Sequence, residues 1–260
     1  AADAGKRLDK ELARVEKDTT TPATGKAGTI FGVASMYHYG GRPDLARPLF
    51  DKGIAVYEAE AARMAKANPK DPMIPSTLGL LGMMLKNLEQ WDRAEAAVTR
   101  AIAADEALPY NHGGSSWYAT LSDIKRGQNK PREALALLDK AEAWLVRSAG
   151  ERYRSTYNTM KAMVLGELGE HAKAIPLLDA YIDNLRKTMG KRHPTVGSML
   201  YMLATQYLQA GQAGKAEVIL DESLDIAESD LALTLSTGNE SDHAVYFTRN
   251  AYVLDTAINL

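Results

Sequence analysis

The chain has 260 residues, contains no cysteine, and carries a formal net charge of −2. This length suits one large domain or an array of repeats, and the near-neutral charge lacks the basic footprint of a nucleic-acid-binding protein. The absence of cysteine excludes disulfides and thiolate metal sites, and because no apolar run reaches about 18 residues we expect no membrane span.

Residue usage predicts an all-α chain. Alanine, leucine, glutamate, lysine and arginine dominate between four stretches that are rich in proline, glycine and polar residues. Those stretches lie at residues 18–25, 68–75, 109–116 and 190–197. Straight-chain residues favour helices, whereas proline and glycine end them, so we expect helices separated by loops at these places.

The N-terminal segment, residues 1–26, is predicted to be a helix followed by a linker. Leu8, Leu12 and Val15 have the spacing of one apolar helix face, so residues 5–18 form either the second helix of a truncated repeat or a cap. The chain begins AADAG, which fits a processed end as well as the edge of a longer chain. We expect a cytoplasmic location, or a periplasmic one if AADAG is a processed end.

A composite pattern recurs five times along the chain. It consists of a small residue, an alanine twelve positions later, a bulky apolar residue four positions further, and a last residue, usually small, three positions beyond. The copies are Ala34, Ala46, Phe50 and Gly53; Gly82, Ala94, Val98 and Ala101; Ser122, Ala134, Leu138 and Ala141; Ala162, Ala174, Leu178 and Tyr181; and Ala204, Ala216, Leu220 and Ser223. Since helices pack closely only where the side chains at their crossing are small, the pattern predicts five helix–turn–helix hairpins.

Turn residues support these hairpins. A glycine follows the first small residue by seven positions in three copies, at Gly41, Gly169 and Gly211. The second helix begins near Pro43, Trp91 and Pro131, and proline is tolerated in a first helical turn. The stretch GQAGKAE, residues 211–217, is therefore predicted to be an interhelix turn with a solvated Lys215. It is not a phosphate-binding loop, which needs G-x-x-x-x-G-K followed by serine or threonine.

Two of the copies resemble tetratricopeptide repeats. Residues 200–228 carry Leu203, Ala204, Tyr207, Gly211 and Ala216 in the slots of that family, and residues 31–58 carry Ala34, Tyr37, Gly41, Ala46 and Phe50. The copies are 40 to 48 residues apart, longer than the usual repeat, and together with GKRHPTVG at 190–197 this is similar to the kinesin-light-chain type. Three residues depart from the pattern: Lys125 occupies the tyrosine slot of the third copy, and Asn158 and Lys161 replace apolar residues in the fourth.

The resemblance implies a right-handed α-solenoid of about five hairpins over residues 27–228, with flanking helices at both ends. Residues 229–260 are expected to form a C-terminal helical cap or junction, with a helix over 241–260. The tail from residue 238 resembles the junction that precedes the CHAT domain, a caspase-like peptidase, in bacterial repeat proteins. This leaves an alternative function, a regulatory or sensor region of a larger bacterial effector whose catalytic domain is not in this chain.

No residue set in the sequence predicts catalysis, a metal or a cofactor. The histidines are His38, His112, His171, His193 and His243, and none has the spacing of a zinc site. His193 precedes a proline and is expected to order that turn. The loop at 110–118 offers a histidine and two serines, but Ser115 and Ser116 are predicted to cap the following helix. An enzyme built on the repeats is the least supported of the three alternatives.

The leading prediction is a non-catalytic scaffold that binds a peptide or protein partner. In tetratricopeptide repeats the first helices of the hairpins line the concave surface, so the resemblance implies a groove formed by residues near each first small residue. The candidate groove residues are Phe31, Ser35, Met83, Asp123, Met160, Met163, Tyr201, Met202 and Thr205. Methionine suits an adaptable peptide surface, although it also fills gaps in cores, and both interpretations stay open for these methionines.

Overall fold

The computed structural model describes residues 10–15, 17–109 and 113–237. Within these ranges all the regular structure is helical, as the sequence predicts. Residues 10–15 form part of helix α1. The helices that follow are α2 Ala23–Tyr39, α3 Pro43–Ala67, α4 Ile74–Asn87, α5 Trp91–Glu106, α6 Gly114–Gly127, α7 Pro131–Ala149, α8 Asn158–Glu167, α9 His171–Met189, α10 Pro194–Gln209 and α11 Ala213–Thr237, with a short 3₁₀ helix at Glu151–Tyr153.

Consecutive helices pair as antiparallel hairpins in two compact units, Ala1–Arg154 and Ser155–Leu260. The first unit contains the pairs α2–α3, α4–α5 and α6–α7, and the second contains α8–α9 and α10–α11. In the first unit α3 packs on α4 and α5 packs on α6, while α2 touches α4 and α4 touches α6. The first helices of these three hairpins therefore lie side by side in one layer.

The small residues of the repeat pattern lie where the helices of each hairpin cross. The alanines at the second position, from Ala46 to Ala216, are all 0–1% exposed. A Cβ placed on Gly82 would stand 2.3 Å from a methyl carbon of Val98, so only glycine fits at this crossing. The bulky apolar residues, from Phe50 to Leu220, are buried beside the alanines. The predicted close approach of the helices is confirmed.

The turns share one left-handed residue at the same place in every copy. Gly41, Gly169 and Gly211 have φ of 74°, 73° and 73°. Glu89 and Asn129 take this position in the other two copies, with φ of 57° and 58°. GQAGKAE is therefore a turn between α10 and α11, as predicted, and the ammonium of the exposed Lys215 lies 5.5 Å from the centre of the Tyr207 ring.

The prediction that serine caps α6 is wrong. The helix begins at Gly114, so Ser115 and Ser116 lie inside its first turn, and the cap residue Gly113 makes no side-chain hydrogen bond. A Cβ on Gly113 or Gly114 would stand 2.8 Å or 2.6 Å from the indole of Trp117 or Trp144. Because the two indoles pack against the glycine backbone at 113 and 114, the helix begins before the two serines and not after them, as the capping preference predicts. At α10 the prediction for His193 is confirmed, because its Nδ1 accepts a 3.2 Å hydrogen bond from the Thr195 amide.

The polar residues that depart from the repeat pattern are buried with polar partners. Lys125 is 9% exposed, and its ammonium lies 2.7 Å from a carboxylate oxygen of Glu95 and 3.1 Å from one of Glu133. Asn158 donates a 3.2 Å hydrogen bond to the carbonyl of Leu177. An ion-paired lysine therefore takes the position in the third copy that Tyr37 and Tyr207 have in the first and last copies.

Among the described helices, none is both long and apolar enough to cross a membrane. Helix α11 continues to Thr237. The predicted helix at 241–260, Leu8, and the tail on which the CHAT resemblance rests all lie outside the described residues.

A candidate partner-binding face on the first helices

The nine predicted groove residues divide between the two units. The first unit holds Phe31, Ser35, Met83 and Asp123, and the second holds Met160, Met163, Tyr201, Met202 and Thr205. All nine are at least partly exposed, whereas other methionines of the first unit, such as Met84 at 0% and Met64 at 8%, belong to the core. The methionines predicted for the groove are therefore distinct from those that fill the core.

In the first unit Asp123 is held by two cations. Its carboxylate oxygens lie 3.2 Å from the ammonium of Lys86 on α4 and 3.5 Å from the guanidinium of Arg126, one turn further along α6. Neither basic residue was among the predicted groove residues. Their positions in the repeat could have indicated them, because Lys86 lies four positions after Gly82 and Arg126 lies four positions after Ser122, the first small residues of their copies. This part of the face is polar and already paired.

Phe31 and Ser35 on α2 contribute to the packing of the first hairpin. The Phe31 ring lies 6.0 Å from the Phe50 ring, centre to centre, at an angle of 52°. The Ser35 hydroxyl is buried and has no hydrogen-bond partner among the described residues. Phe31 therefore offers one side to the core and one to the surface, while the Ser35 oxygen is not accessible to a partner.

In the second unit the predicted residues form an uncharged set. Met160 and Met163 lie on α8 and Tyr201, Met202 and Thr205 on α10, and both helices pack on α9. The Thr205 hydroxyl donates a 3.0 Å hydrogen bond to the Tyr201 carbonyl within α10, so it is satisfied locally. The groups left accessible are thioether and aromatic surfaces, with Met163 39% exposed.

A polar contact fixes α10 against α9 in this unit. Nδ1 of His171 lies 3.0 Å from the side-chain carbonyl oxygen of Gln206, and the Gln206 amide also lies against Gly166 on α8, 3.1 Å from where a Cβ would stand. Since Gln206 touches both α8 and α9, it sets the position of α10 relative to these helices. The contact places Tyr201, Met202 and Thr205, which are on the same helix.

Two carboxyl groups of the described residues have shifted pKa values with identifiable causes. Side-chain hydrogen bonding from Lys125 lowers the pKa of Glu95, and Gln128 adds a second hydrogen bond of 2.8 Å. Burial raises the pKa of Asp179, and the nearby Asp183 raises it further. No group of three histidine or carboxylate side chains with metal-binding geometry occurs within the described ranges. Of the loop at 110–118, Tyr110, Asn111 and His112 lie outside those ranges.

Comparisons with known proteins agree with this architecture. Residues 153–229 match the family model for the tetratricopeptide repeat. Comparison with curated protein sequences gives no significant match. The chain is similar in structure to the nearly identical TPR-like repeats assigned to a kinesin light chain of Podospora anserina, at 18% identity and a TM-score of 0.63, covering 82% of this chain and 99% of that chain.

Two other solved structures are also similar. BtubC (BKLC) from P. vanneervenii matches at 15% identity with a TM-score of 0.57, covering 81% of this chain and 92% of that one. The apo form of RapI matches at 14% identity with a TM-score of 0.62, covering 84% and 83%. At these identities the likeness concerns the fold alone, and it confirms the helical solenoid class that the sequence predicts.

Proposed function

We propose that this chain, which carries tetratricopeptide repeats with a kinesin-light-chain-like fold, is a non-catalytic scaffold for protein–protein interaction. The array at residues 27–228 would hold an extended or helical peptide on the accessible face of its first helices. The observation that carries the proposal is the accessible set Met160, Met163, Tyr201 and Met202 on α8 and α10. Met163 is 39% exposed, and the other three side chains are partly exposed.

The chemistry of this set favours a peptide with apolar side chains. Methionine is flexible and polarizable, so several methionines on one surface adapt to side chains of different shape. Tyr201 adds a rigid ring that loses little conformational entropy on binding, and aromatic anchors contribute strongly to interfaces.

Peptides selected from a random library on the immobilised chain test this proposal. Their affinity for the wild type is compared with that for Met160→Glu combined with Tyr201→Glu, by fluorescence anisotropy. In the variant, a glutamate carboxylate would be buried against an apolar side chain of the peptide, so we expect at least about tenfold weaker binding. Val218→Glu is the matched control, since Val218 is 69% exposed on the second helix α11 and should leave binding unchanged.

Two results would contradict the proposal. One is a selection that yields no peptide with saturable binding. The other is a set of peptides that bind the double variant as tightly as the wild type while the variant keeps its helical circular dichroism spectrum.

A further inference from the structure

The first unit has a groove on the side of its second helices, away from the candidate face. The groove has a volume of about 250 Å³ and opens between α3 and α5. Its floor is made by Leu78, Leu81 and Leu85 of α4. None of the nine predicted groove residues lines it, so it is a separate surface of the molecule.

Small side chains on both walls keep this groove open. Ala61 and Ala62 belong to α3, and Ala96 and Ala97 belong to α5. Ala62 and Ala96 are exposed at the mouth, whereas the leucines of the floor are 1–5% exposed. A cavity of about 150 Å³ lined by aliphatic side chains is enough to hold a benzene molecule. The groove can therefore accept a side chain of leucine size above the leucine floor.

The rim of the groove has an excess of positive charge. Glu58 on α3 pairs with Arg93 on α5 at 2.7 Å. Arg100 also lines the groove, and it makes no ion pair with any described residue. Arg93 and Arg100 are seven residues apart on one helix, which places them about 10 Å from each other along its axis. The single carboxylate of the rim thus matches one arginine and leaves the second without a counter-charge.

We propose that this groove is a second docking site, for an acidic amphipathic segment of a partner protein. An aliphatic side chain of the segment lies between Ala62 and Ala96, and a carboxylate of the segment pairs with Arg100. The aliphatic side chain of the segment supplies affinity because it leaves water when it enters the apolar groove, and the unmatched guanidinium selects for acidic over basic segments. The site extends the proposed scaffold function to the opposite face of the hairpins, and it does not depend on the first-helix face.

The repeat offers matched controls for this site. Position 136 on α7 has the same place in the repeat as Ala96, and Lys140 has the same place as Arg100. Ala96→Trp fills the mouth of the groove, and Arg100→Glu reverses the charge of the rim. Ala136→Trp and Lys140→Glu make the same changes on the next hairpin. All four positions are exposed, so the variants should fold.

The probe is a fluorescein-labelled, capped amphipathic peptide with leucine on one face and glutamate on the other, titrated with the full chain. We expect Arg100→Glu to weaken binding about tenfold and Ala96→Trp to remove it, with no effect of Ala136→Trp or Lys140→Glu. A peptide with lysine for glutamate should bind more weakly than the acidic one. Retained binding by the Met160→Glu and Tyr201→Glu double variant would separate this site from the first-helix face.

Three outcomes would overturn the proposal. The acidic peptide shows no saturation at millimolar concentration, or the lysine peptide binds equally well, or Ala96→Trp and Ala136→Trp behave alike. The first-helix proposal would survive each of these results, because its own test uses other peptides and other variants.

Discussion

The hydroxyl of Ser122 donates a 2.9 Å hydrogen bond to the carbonyl oxygen of Ala134, across the crossing of α6 and α7. Both residues are 0% exposed, and they are the first and second members of the third copy of the repeat pattern. Ser223 makes a similar bond of 2.8 Å to the carbonyl of Gly197 in the last hairpin. Where serine replaces alanine or glycine at a crossing, its hydroxyl is satisfied by the backbone of the other helix.

This relationship predicts the effect of two substitutions at Ser122. Ser122→Ala removes one buried hydrogen bond and should lower the free energy of unfolding by about 1 kcal/mol. Ser122→Leu should cost about 1–3 kcal/mol more, because a bulky side chain cannot fit where the helices touch. Urea unfolding followed by circular dichroism measures both. Ser116→Ala on the exposed side of α6 is the control, and equal stability of Ser122→Leu and wild type would contradict the account.

A second prediction concerns Gly79, which lies under the indole of Trp117. A Cβ at Gly79 would stand 2.2 Å from the Cζ3 atom of Trp117, so α4 and α6 can meet only if residue 79 is glycine. Gly79→Ala should reduce the free energy of unfolding by about 1–3 kcal/mol through overpacking. Gly32→Ala is the matched helical control, since its Cβ would meet nothing within 4 Å.

The control has an expected sign of its own. Alanine is favoured over glycine inside a helix, so Gly32→Ala should raise the free energy of unfolding by about 0.5–1 kcal/mol. The contact between Gly79 and Trp117 is supported if the denaturant midpoint of Gly79→Ala lies below that of the wild type and the midpoint of Gly32→Ala lies above it. If Gly79→Ala is also stabilising, the indole does not press on α4 as described.

A third prediction concerns the left-handed turn residue of the second copy. Glu89 has φ of 57°, a conformation that other copies give to glycine. A side chain with a Cβ is strained there, so Glu89→Gly should raise the free energy of unfolding by about 0.5–1 kcal/mol. Asn129→Gly should have a smaller effect, because asparagine tolerates this region. Thermal unfolding of both variants measures the difference, and a larger gain at Asn129 would argue against backbone strain.

A fourth prediction concerns the pH dependence that Glu95 confers. The hydrogen bond from Lys125 lowers the pKa of Glu95 below its ordinary value of 4.5. A carboxyl group with a lowered pKa stabilises the fold above its unfolded-state pKa, and the stabilisation is lost as the pH falls through the folded-state pKa. Burial acts to lower the pKa of Lys125, but its hydrogen bonds to Glu95 and Glu133 outweigh burial and raise it. Lys125 therefore stays charged throughout this window.

Glu95→Gln should be less stable than the wild type at neutral pH, and the difference should shrink as the pH is lowered to about 3. The measurement is the urea midpoint at a series of pH values. Glu217→Gln, at an exposed position of α11, is the control for a change of net charge alone. A difference between Glu95→Gln and wild type that does not change with pH would show that the pair contributes by packing instead of by charge.

The fold was predictable because it depends on short-range regularities of the sequence. A helical hairpin needs small residues at its crossing and a left-handed residue at its turn, and both recur at fixed spacing, as at Gly82 with Ala94 and at Gly41, Gly169 and Gly211. The class, the order of the hairpins and the turn at GQAGKAE follow from these residues alone. The candidate groove residues were also chosen by their positions relative to the first small residue of each copy.

The contacts between hairpins were decided only by the tertiary structure. Trp91 covers Gly127, and Trp117 covers Gly79. The pairing of Lys125 with Glu95 and the groove beside Arg100 belong to the same class. Each depends on which side chains of different hairpins meet, and that is set by the axial offset and rotation of whole helices. A repeat pattern determines how a hairpin packs within itself, whereas the variable residues between its fixed positions determine what lies against its neighbour.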